Sequence, residues 1–139
     1  MHCKNPKELV NAFYEQIWNA GDLSAVPTLL KPEFTFRGSL GNELVGPDTF
    51  CEYVHSVRNA LAQYHCEIVE CVAEDNRAFA KMRFSGVHAA RFRGFEPAGK
   101  PVHWMGAALF HCEDGLISSL WVLGDLAGLD AVLRLNEHG

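Results

Sequence analysis

The sequence predicts an α+β fold in which helices pack on one face of a curved β-sheet. Two observations support this prediction. Apolar residues recur at helical spacing over much of the first 61 residues, and strand-like alternation follows from residue 66 to residue 123. The 139 residues have the length of one domain, and no repeat or linker divides them. We therefore expect residues 1–139 to form a single domain.

Four helices are expected from the spacing of apolar residues. Asn5 can cap the first helix, and Glu8 stands where a capping-box carboxylate belongs. The apolar stripe of this helix extends to Trp18, and Gly21 lies just beyond its end. The other expected helices cover residues 22–30, 47–61 and 126–135.

Strand-like alternation occurs in five segments, at residues 33–37, 66–72, 78–93, 102–112 and 116–123. Residues 38–46 are expected to form a polar loop. The segment 78–93 combines an apolar face with a second face that carries Lys81, Arg83, Ser85, Arg91 and Arg93. The sequence EDG at 113–115 indicates a tight hairpin. A curved sheet of such strands can leave a concave pocket against the helices, which is the default ligand site.

Composition and charge argue against several classes of partner. Twelve Lys and Arg against seventeen Asp and Glu give a net charge of −5, without the basic surface of a nucleic-acid binder. No apolar run is long enough to cross a bilayer, and residues 1–6 lack the pattern of a secretory signal. Free thiols and a cytoplasmic location are expected, because no CxxC spacing occurs among Cys3, Cys51, Cys66, Cys71 and Cys112.

His88 is the first candidate for chemistry in the pocket. It stands on the apolar face of its segment, beside Phe84 and Phe92, so its imidazole is expected to face the interior. A neutral imidazole can both donate and accept a proton near pH 7. A core histidine held by one backbone partner explains the same pattern, and periodicity alone slightly favours that interpretation.

Asp125 is the second candidate, because it is the only ionisable side chain between Asp114 and Asp130. It shares strand parity with Trp121. If Trp121 faces the pocket, the carboxylate does so too and could act as a general acid or base. The alternative is a helix cap that accepts from the amide of residue 127 or 128. Spacing leaves these two interpretations even.

Other residues are candidates for contact with a ligand. His103 and Met105 share one face of their strand, and Arg37 at a strand end could orient an oxyanion. A flat ligand could stack on an aromatic wall of Trp18, Trp104 and Trp121. A solvated strand end for Arg37 and core packing for the tryptophans are the plain alternatives. We expect no metal and no cofactor, because residues 103 and 111 lie about 26 Å apart at strand rise and no nucleotide-binding motif occurs.

The order of these elements and several short motifs resemble the SnoaL-like polyketide cyclase family. This family belongs to a superfamily that includes nuclear transport factor two, scytalone dehydratase and ketosteroid isomerase. The resemblance covers nearly the whole chain and rests on WNAGD at 18–22, PEF at 32–34, GPDTF at 46–50, HAARFRGFEPAGK at 88–100, EDGLI at 113–117 and DLAGL at 125–129. It implies a cone-shaped fold, in which a curved antiparallel or mixed β-sheet wraps around N-terminal helices and encloses an internal pocket.

The resemblance also implies an activity. In the family's cyclases, an aspartate at the position of Asp125 is the acid or base of an intramolecular aldol ring closure, and a pocket-facing histidine matches His88. A cofactor-independent cyclase, isomerase or dehydratase is therefore expected, acting on a small carbonyl-containing apolar or aromatic substrate. Asp125 would take a proton next to the carbonyl, while His88 positions the substrate or donates to the enolate.

Two further points follow from the resemblance. Members of the superfamily commonly pair through the sheet, so a homodimer is expected. Arg37 and Val132 depart from the family pattern, which often has histidine or a small polar residue at the first position and glutamine at the second. Because one fold hosts many functions, a non-catalytic protein that binds a small molecule in the same pocket is the alternative.

Overall fold

The structure, a computed structural model, describes residues 4–138, so Cys3 lies outside the described residues. In chain order, the elements are α1 Pro6–Ala12, which continues as a π-helix over Phe13–Asn19, a 3-10 turn Leu23–Ala25, α2 Val26–Leu29, β1 Leu30–Arg37, β2 Glu43–Val45, α3 Pro47–Ala60, β3 Leu61–Glu74, β4 Arg77–His88, β5 Pro101–Glu113, β6 Leu116–Gly124 and α4 Leu126–His138. None of the described helices is long and apolar enough to cross a bilayer.

The six strands form one curved sheet in the order β2-β1-β6-β5-β4-β3. The β1 and β6 strands run parallel, and every other neighbouring pair is antiparallel. The sheet is therefore mixed and does not close. Helices α1 and α3 cover its inner face, which confirms the predicted α+β class and the cone-shaped arrangement.

The first helix begins as its sequence predicts. The Asn5 side chain accepts a hydrogen bond from the Glu8 amide at 2.9 Å, and the Glu8 carboxylate accepts one from the Asn5 amide at 3.0 Å. This capping box satisfies backbone donors at the helix start. At the far end of the π-helix, the Asn19 amide group exchanges two hydrogen bonds with the backbone of Cys66, at 2.7 and 3.0 Å. These bonds fix the helix against β3.

Alternate residues of β4 and β5 point into the core. On β4, the inner side chains are buried from Ala78 to His88, and on β5 those of Trp104 and Phe110 are buried. Phe13 stacks on Phe50 at 5.6 Å between ring centroids and meets Phe110 edge-on at the same distance. Aromatic rings from two helices and the sheet thus form the centre of the core.

The structure differs from the sequence prediction most in two segments, and β1 and β3 also begin earlier than predicted, at Leu30 and Leu61. Residues 38–46 are not all loop, because β2 pairs with β1 there. The predicted strand 78–93 ends at His88, and residues 89–100 form a strap that returns to β5. His88 exchanges backbone hydrogen bonds with Lys100 and Gly99, both at 3.0 Å, and Arg93 and Gly94 adopt positive φ angles of 50° and 85°. The left-handed backbone at Arg93 and Gly94 turns the strap back between Phe92 and Phe95, although the side-chain alternation of β4 continues as far as Arg93.

The strap also holds the last helix. Arg93 forms two hydrogen bonds with Asp130 of α4, at 2.7 and 3.0 Å. Arg91 and Arg93 therefore lie on the strap, and the prediction that they continue the outer face of β4 beyond Lys81 and Arg83 is wrong. The strap closes one end of the cone against α4.

Candidate ligand site

A small cavity lies between the sheet and the helices. Its volume is about 20 Å³, enough for a group of the size of a water molecule. Aromatic side chains dominate its wall, which consists of Tyr14, Trp18, Phe36, Ser39, Leu40, Tyr53, Val57, Tyr64, Phe84, Trp104 and Val122. We refer to this space as the interior cavity.

Two helices and β3 bring the tyrosines into this wall. Tyr14 and Trp18 are four residues apart on the π-helix, and the Trp18 ring lies 5.2 Å from that of Tyr64 and 5.9 Å from that of Tyr53. Burial raises the pKa of Tyr14 and Tyr64 well above the usual range. Burial also raises the pKa of Tyr53 to about 12. The phenols are therefore neutral near pH 7 and can offer hydrogen bonds without acting as bases.

Trp104 places a free hydrogen-bond donor at the cavity. Its indole is 3% exposed, and its Nε1–H has no hydrogen-bond partner. A Cβ added to Gly124 would lie 3.3 Å from this nitrogen and 2.8 Å from the Ser39 carbonyl oxygen, so a glycine is needed at this junction. Because a buried, unpaired N–H group is costly, it points to a ligand or water acceptor at this position.

His88 faces the interior, as the strand pattern predicts. Its side chain is 1% exposed, and Nε2 has no hydrogen-bond partner. The Phe92 ring contacts both neighbouring rings, with centroids 6.4 Å from His88 and 6.3 Å from Trp104. His88 is not among the residues that line the interior cavity. The imidazole therefore lies behind Phe92, one ring away from Trp104.

Asp125 lies at the start of α4 and is exposed. Its Oδ1 accepts a hydrogen bond from the Gly128 amide at 2.9 Å, which is the capping interaction considered from the sequence. Its backbone amide donates to the Met105 carbonyl at 2.9 Å. Asp125 lines none of the described pockets, so the structure does not bring its carboxylate and His88 into one cavity. A catalytic role for Asp125 stays a prediction.

The structure corrects the expected facing of several candidates. His103, Met105 and Trp121 lie on the outer face of the sheet, because Trp104, Leu120 and Val122 occupy the inner positions of the same strands. Of the three tryptophans, only Trp18 and Trp104 line the interior cavity. The parity that links Asp125 to Trp121 therefore indicates the outer face.

Arg37 also belongs to the outer face. Its guanidinium lies over the Trp121 ring, 5.4 Å from the centroid, and donates to the Val122 carbonyl. Both residues line an open groove of about 500 Å³ between β2, β1, β6 and β5, with Glu43 and His111. Phe36 lines both the groove and the interior cavity, but charged residues line only the groove. Arg37 therefore does not offer an oxyanion contact in the interior cavity.

A larger, open chamber adjoins the interior cavity. This vestibule has a volume of about 400 Å³ and is lined by Leu40, Asn42, Tyr53, Ser56, Val57, Asn59, Ala60, Ala90, Arg91, Phe92 and Arg93. Leu40, Tyr53 and Val57 line both spaces, so they form the boundary between them. The Leu40 backbone lies near the Tyr53 hydroxyl and opposes part of the rise in the pKa of Tyr53 that burial causes.

Sequence reasoning missed the boundary residues and the tyrosines. Tyr14 stands in the same helical stripe as Trp18, and Tyr53 stands one turn before Val57, so helical spacing carried a signal for both. Leu40 carried none, because it lies in a loop. Within residues 4–138, no three His, Cys, Asp or Glu side chains cluster closely enough to hold a metal ion.

Comparisons with known proteins agree with this architecture. TsrD from Streptomyces laurentii has a TM-score of 0.80 at 24% identity, over 91% of this chain and 92% of its own. IdmH from Streptomyces antibioticus has a TM-score of 0.83 at 18% identity, over 94% and 99%. A protein from Acidithiobacillus ferrooxidans, described as a proposed polyketide cyclase, has a TM-score of 0.83 at 21% identity, over 98% and 99%. These likenesses show the shared fold.

The sequence comparisons identify the family. No curated protein matches the chain. The sequence profile of the SnoaL-like polyketide cyclases matches residues 8–133, which is most of the 139-residue chain. The chain therefore belongs to the SnoaL-like polyketide cyclase family.

Proposed function

We propose that this protein is a cofactor-independent enzyme that removes a proton next to the carbonyl of a small apolar or aromatic molecule. Family membership supports a cyclase or isomerase kind of function. The observation that carries the proposal is the unpaired indole N–H of Trp104 in a small cavity lined mostly by aromatic and apolar side chains. The reaction classes are an aldol cyclisation, an isomerisation or a dehydration, because all three pass through an enolate or its equivalent.

Trp104 is proposed to bind the carbonyl oxygen. When a base removes the neighbouring proton, negative charge develops on that oxygen, and a donor already in place stabilises the charge. The neutral phenols of Tyr14 and Tyr64 line the same space and can add donors. Burial strengthens each of these interactions, because little water competes for the oxygen.

His88 and Asp125 are the proposed acid and base. Among the buried residues of the described chain, His88 is the only one with an imidazole, a carboxylate or a basic side chain, and its Nε2 has no partner. A substrate that displaces the Phe92 ring would meet this nitrogen. Asp125 would have to release the Gly128 amide before its carboxylate could reach a substrate. His88 is therefore the stronger candidate for the proton transfer.

Hydrogen–deuterium exchange tests this proposal with 2-tetralone as the probe. Enolisation moves a proton from the carbon between the carbonyl and the ring to the enzyme, and a deuteron from D₂O replaces it. We expect the protein to accelerate the exchange, followed by NMR, and the His88→Gln variant to lose about 10²-fold or more of the acceleration. His103→Gln is the matched control, because this imidazole is exposed on the outer face. Trp104→Phe should also slow the exchange.

The outcomes separate the two functions. If the His103→Gln variant still accelerates the exchange and the His88→Gln variant does not, the result supports an enzyme in which His88 is the acid or base. Loss of exchange in Asp125→Asn, with binding retained, instead assigns the base to Asp125. Binding of 2-tetralone without any acceleration supports a non-catalytic binding protein. One observation favours the non-catalytic binding protein: no carboxylate or imidazole lines the interior cavity.

We also propose a homodimer formed through the outer face of the sheet. Val72, Phe79, Leu109 and Trp121 lie opposite one another on successive strands, and three of them are exposed: Val72, Phe79 and Trp121. An apolar row of this kind is typical of an interaction surface. Sedimentation should show a dimer that Trp121→Glu dissociates, whereas Leu135→Glu on the exposed side of α4 leaves it intact. A monomeric wild-type protein would refute this proposal.

A cytoplasmic location is proposed from the thiols. Cys51, Cys66, Cys71 and Cys112 are all free in the described part of the chain. Burial raises the pKa of Cys112 to about 11 and that of Cys66 still further. Such thiols are unreactive and suit a reducing compartment. Fractionation of the cells that make the protein tests this location.

A further inference from the structure

We propose that the substrate carries a carboxylate, and that Arg91 of the vestibule binds it while the substrate's carbonyl end points toward Trp104. This inference deepens the proposed function and rests on it, because it assigns a chemical class to the molecule in the interior cavity. Three observations carry it: the shared wall of the two spaces, the charge of the vestibule, and the different pairing of its two arginines.

The shared wall places the interior cavity and the vestibule side by side. Leu40, Tyr53 and Val57 belong to both linings. The interior cavity of about 20 Å³ can hold only a small group, whereas the vestibule of about 400 Å³ has the size of a ligand pocket. A substrate would therefore place its carbonyl in the interior cavity and most of its body in the vestibule.

The charged side chains that line the vestibule are two arginines, although the protein is acidic. The chain as a whole has a net charge of −5, yet the charged residues of the vestibule lining are Arg91 and Arg93, without a carboxylate among them. The polar groups beside them are Ser56, Asn42 and Asn59, which supply further donors. A site of donors and guanidinium groups recognises an anion.

The two arginines are not equivalent. Nε and Nη2 of Arg93 donate hydrogen bonds to Oδ1 and Oδ2 of Asp130, at 2.7 and 3.0 Å. The Arg93 and Asp130 side chains are only 24% and 32% exposed. Arg91 forms one bond of 3.3 Å to Glu96, and both side chains are mostly exposed. An exposed pair of this kind contributes little and exchanges readily. Arg93 therefore fixes the strap to α4, and Arg91 can turn to a ligand.

A carboxylate fits the geometry of this guanidinium best. The planar fork of arginine can donate two parallel hydrogen bonds to the two oxygens of a carboxylate. Glu96 already presents the same group to Arg91, so a ligand carboxylate would replace Glu96 without a new kind of contact. The predicted substrate class is thus an aromatic or apolar acid that also bears a carbonyl.

Binding of two matched probes tests the inference. The probes are 2-naphthoate, which is anionic, and 2-acetylnaphthalene, which has a similar shape without the charge. We expect Arg91→Gln to lower the affinity for 2-naphthoate about fivefold, the equivalent of about 1 kcal/mol, and to leave the affinity for 2-acetylnaphthalene unchanged. Added salt should weaken the binding of 2-naphthoate but not that of 2-acetylnaphthalene. Arg83→Gln is the matched control, because this exposed arginine lies on β4, away from the vestibule.

A second variant should change the affinity for 2-naphthoate in the opposite direction. Glu96→Gln removes the carboxylate that competes for Arg91, so it should raise the affinity for 2-naphthoate and not that for 2-acetylnaphthalene. Equal effects of Arg91→Gln and Arg83→Gln, or of Arg91→Gln on both probes, overturn the inference. If 2-acetylnaphthalene still binds and Trp104→Phe weakens it, the proposed function survives that failure. If neither probe binds, both proposals fall.

Discussion

Removing the cap of α4 separates the structural role of Asp125 from a catalytic one. The Asp125 carboxylate accepts from the Gly128 amide at 2.9 Å, at the start of a helix that buries Leu129 and Leu133 against the core. Asp125→Ala removes this acceptor. Asp125→Asn keeps it, because asparagine caps helices about as well as aspartate.

The magnitude follows from the kind of contact that is lost. Replacing a capping side chain by alanine costs about 1 kcal/mol, within a range of about 0.5 to 2. The negative charge at the helix N-terminus adds about 0.3 kcal/mol or slightly more at an exposed site. We therefore expect Asp125→Ala to lower the free energy of unfolding by about 1 kcal/mol and the melting temperature by roughly 4 °C. Asp125→Asn should lose only the small charge contribution.

Urea unfolding followed by circular dichroism measures this difference. The midpoint should move for Asp125→Ala while the slope stays constant, since the surface exposed on unfolding is unchanged. Glu52→Ala serves as the control, because it removes an exposed carboxylate from α3. The reasoning is refuted if Asp125→Ala is as stable as the wild type, or if Asp125→Asn loses as much stability as Asp125→Ala.

Three other predictions concern the core and its charges. Phe50→Ala should cost about 3 to 5 kcal/mol in urea unfolding, because Phe50 is fully buried; a cost below about 1 kcal/mol would contradict this packing. Burial raises the pKa of Tyr53 to about 12. Between pH 10 and pH 12 the unfolded phenol ionises more than the folded one, so stability should fall by about 2 kcal/mol, and Tyr53→Phe should reduce this loss. The hydrogen bonds of Arg93 lower the pKa of Asp130, so their contribution is present above the usual carboxylate pKa and is lost as the pH falls through the lowered value. Arg93→Gln should remove this loss of stability at acid pH, measured by unfolding at several pH values. The same acid dependence in the wild type and in Arg93→Gln would contradict the prediction.

Local signals in the sequence were sufficient for the helices and the hairpin. The capping box of Asn5 and Glu8 and the hairpin after Glu113 depend on neighbours within a few residues, and the structure contains both. The inward face of β4 was also predictable, since small and apolar residues alternate there with charged ones. These features need no knowledge of the rest of the chain.

The faces of β5 and β6 were not predictable in the same way. Both faces of β5 carry apolar side chains, such as Trp104 inside and Met105 outside, so alternation gives no sign of which one meets the helices. The register against β4 decides, with Phe84 opposite Trp104. The boundary formed by Leu40 and Tyr53 depends on a loop and a helix far apart from the strands in the chain. Tertiary contacts alone place such residues.

The order of the strands leaves β3 at one end of the sheet. Apart from the amide and carbonyl of Cys66, which the Asn19 side chain binds, such an edge strand can pair with another extended chain, which is a common start of aggregation. On β3, the exposed positions include Glu67, Glu70 and Glu74. Three like charges along such a strand repel a second copy that approaches in register. Acidification would remove this electrostatic protection, so we expect self-association through β3 to increase as the pH falls.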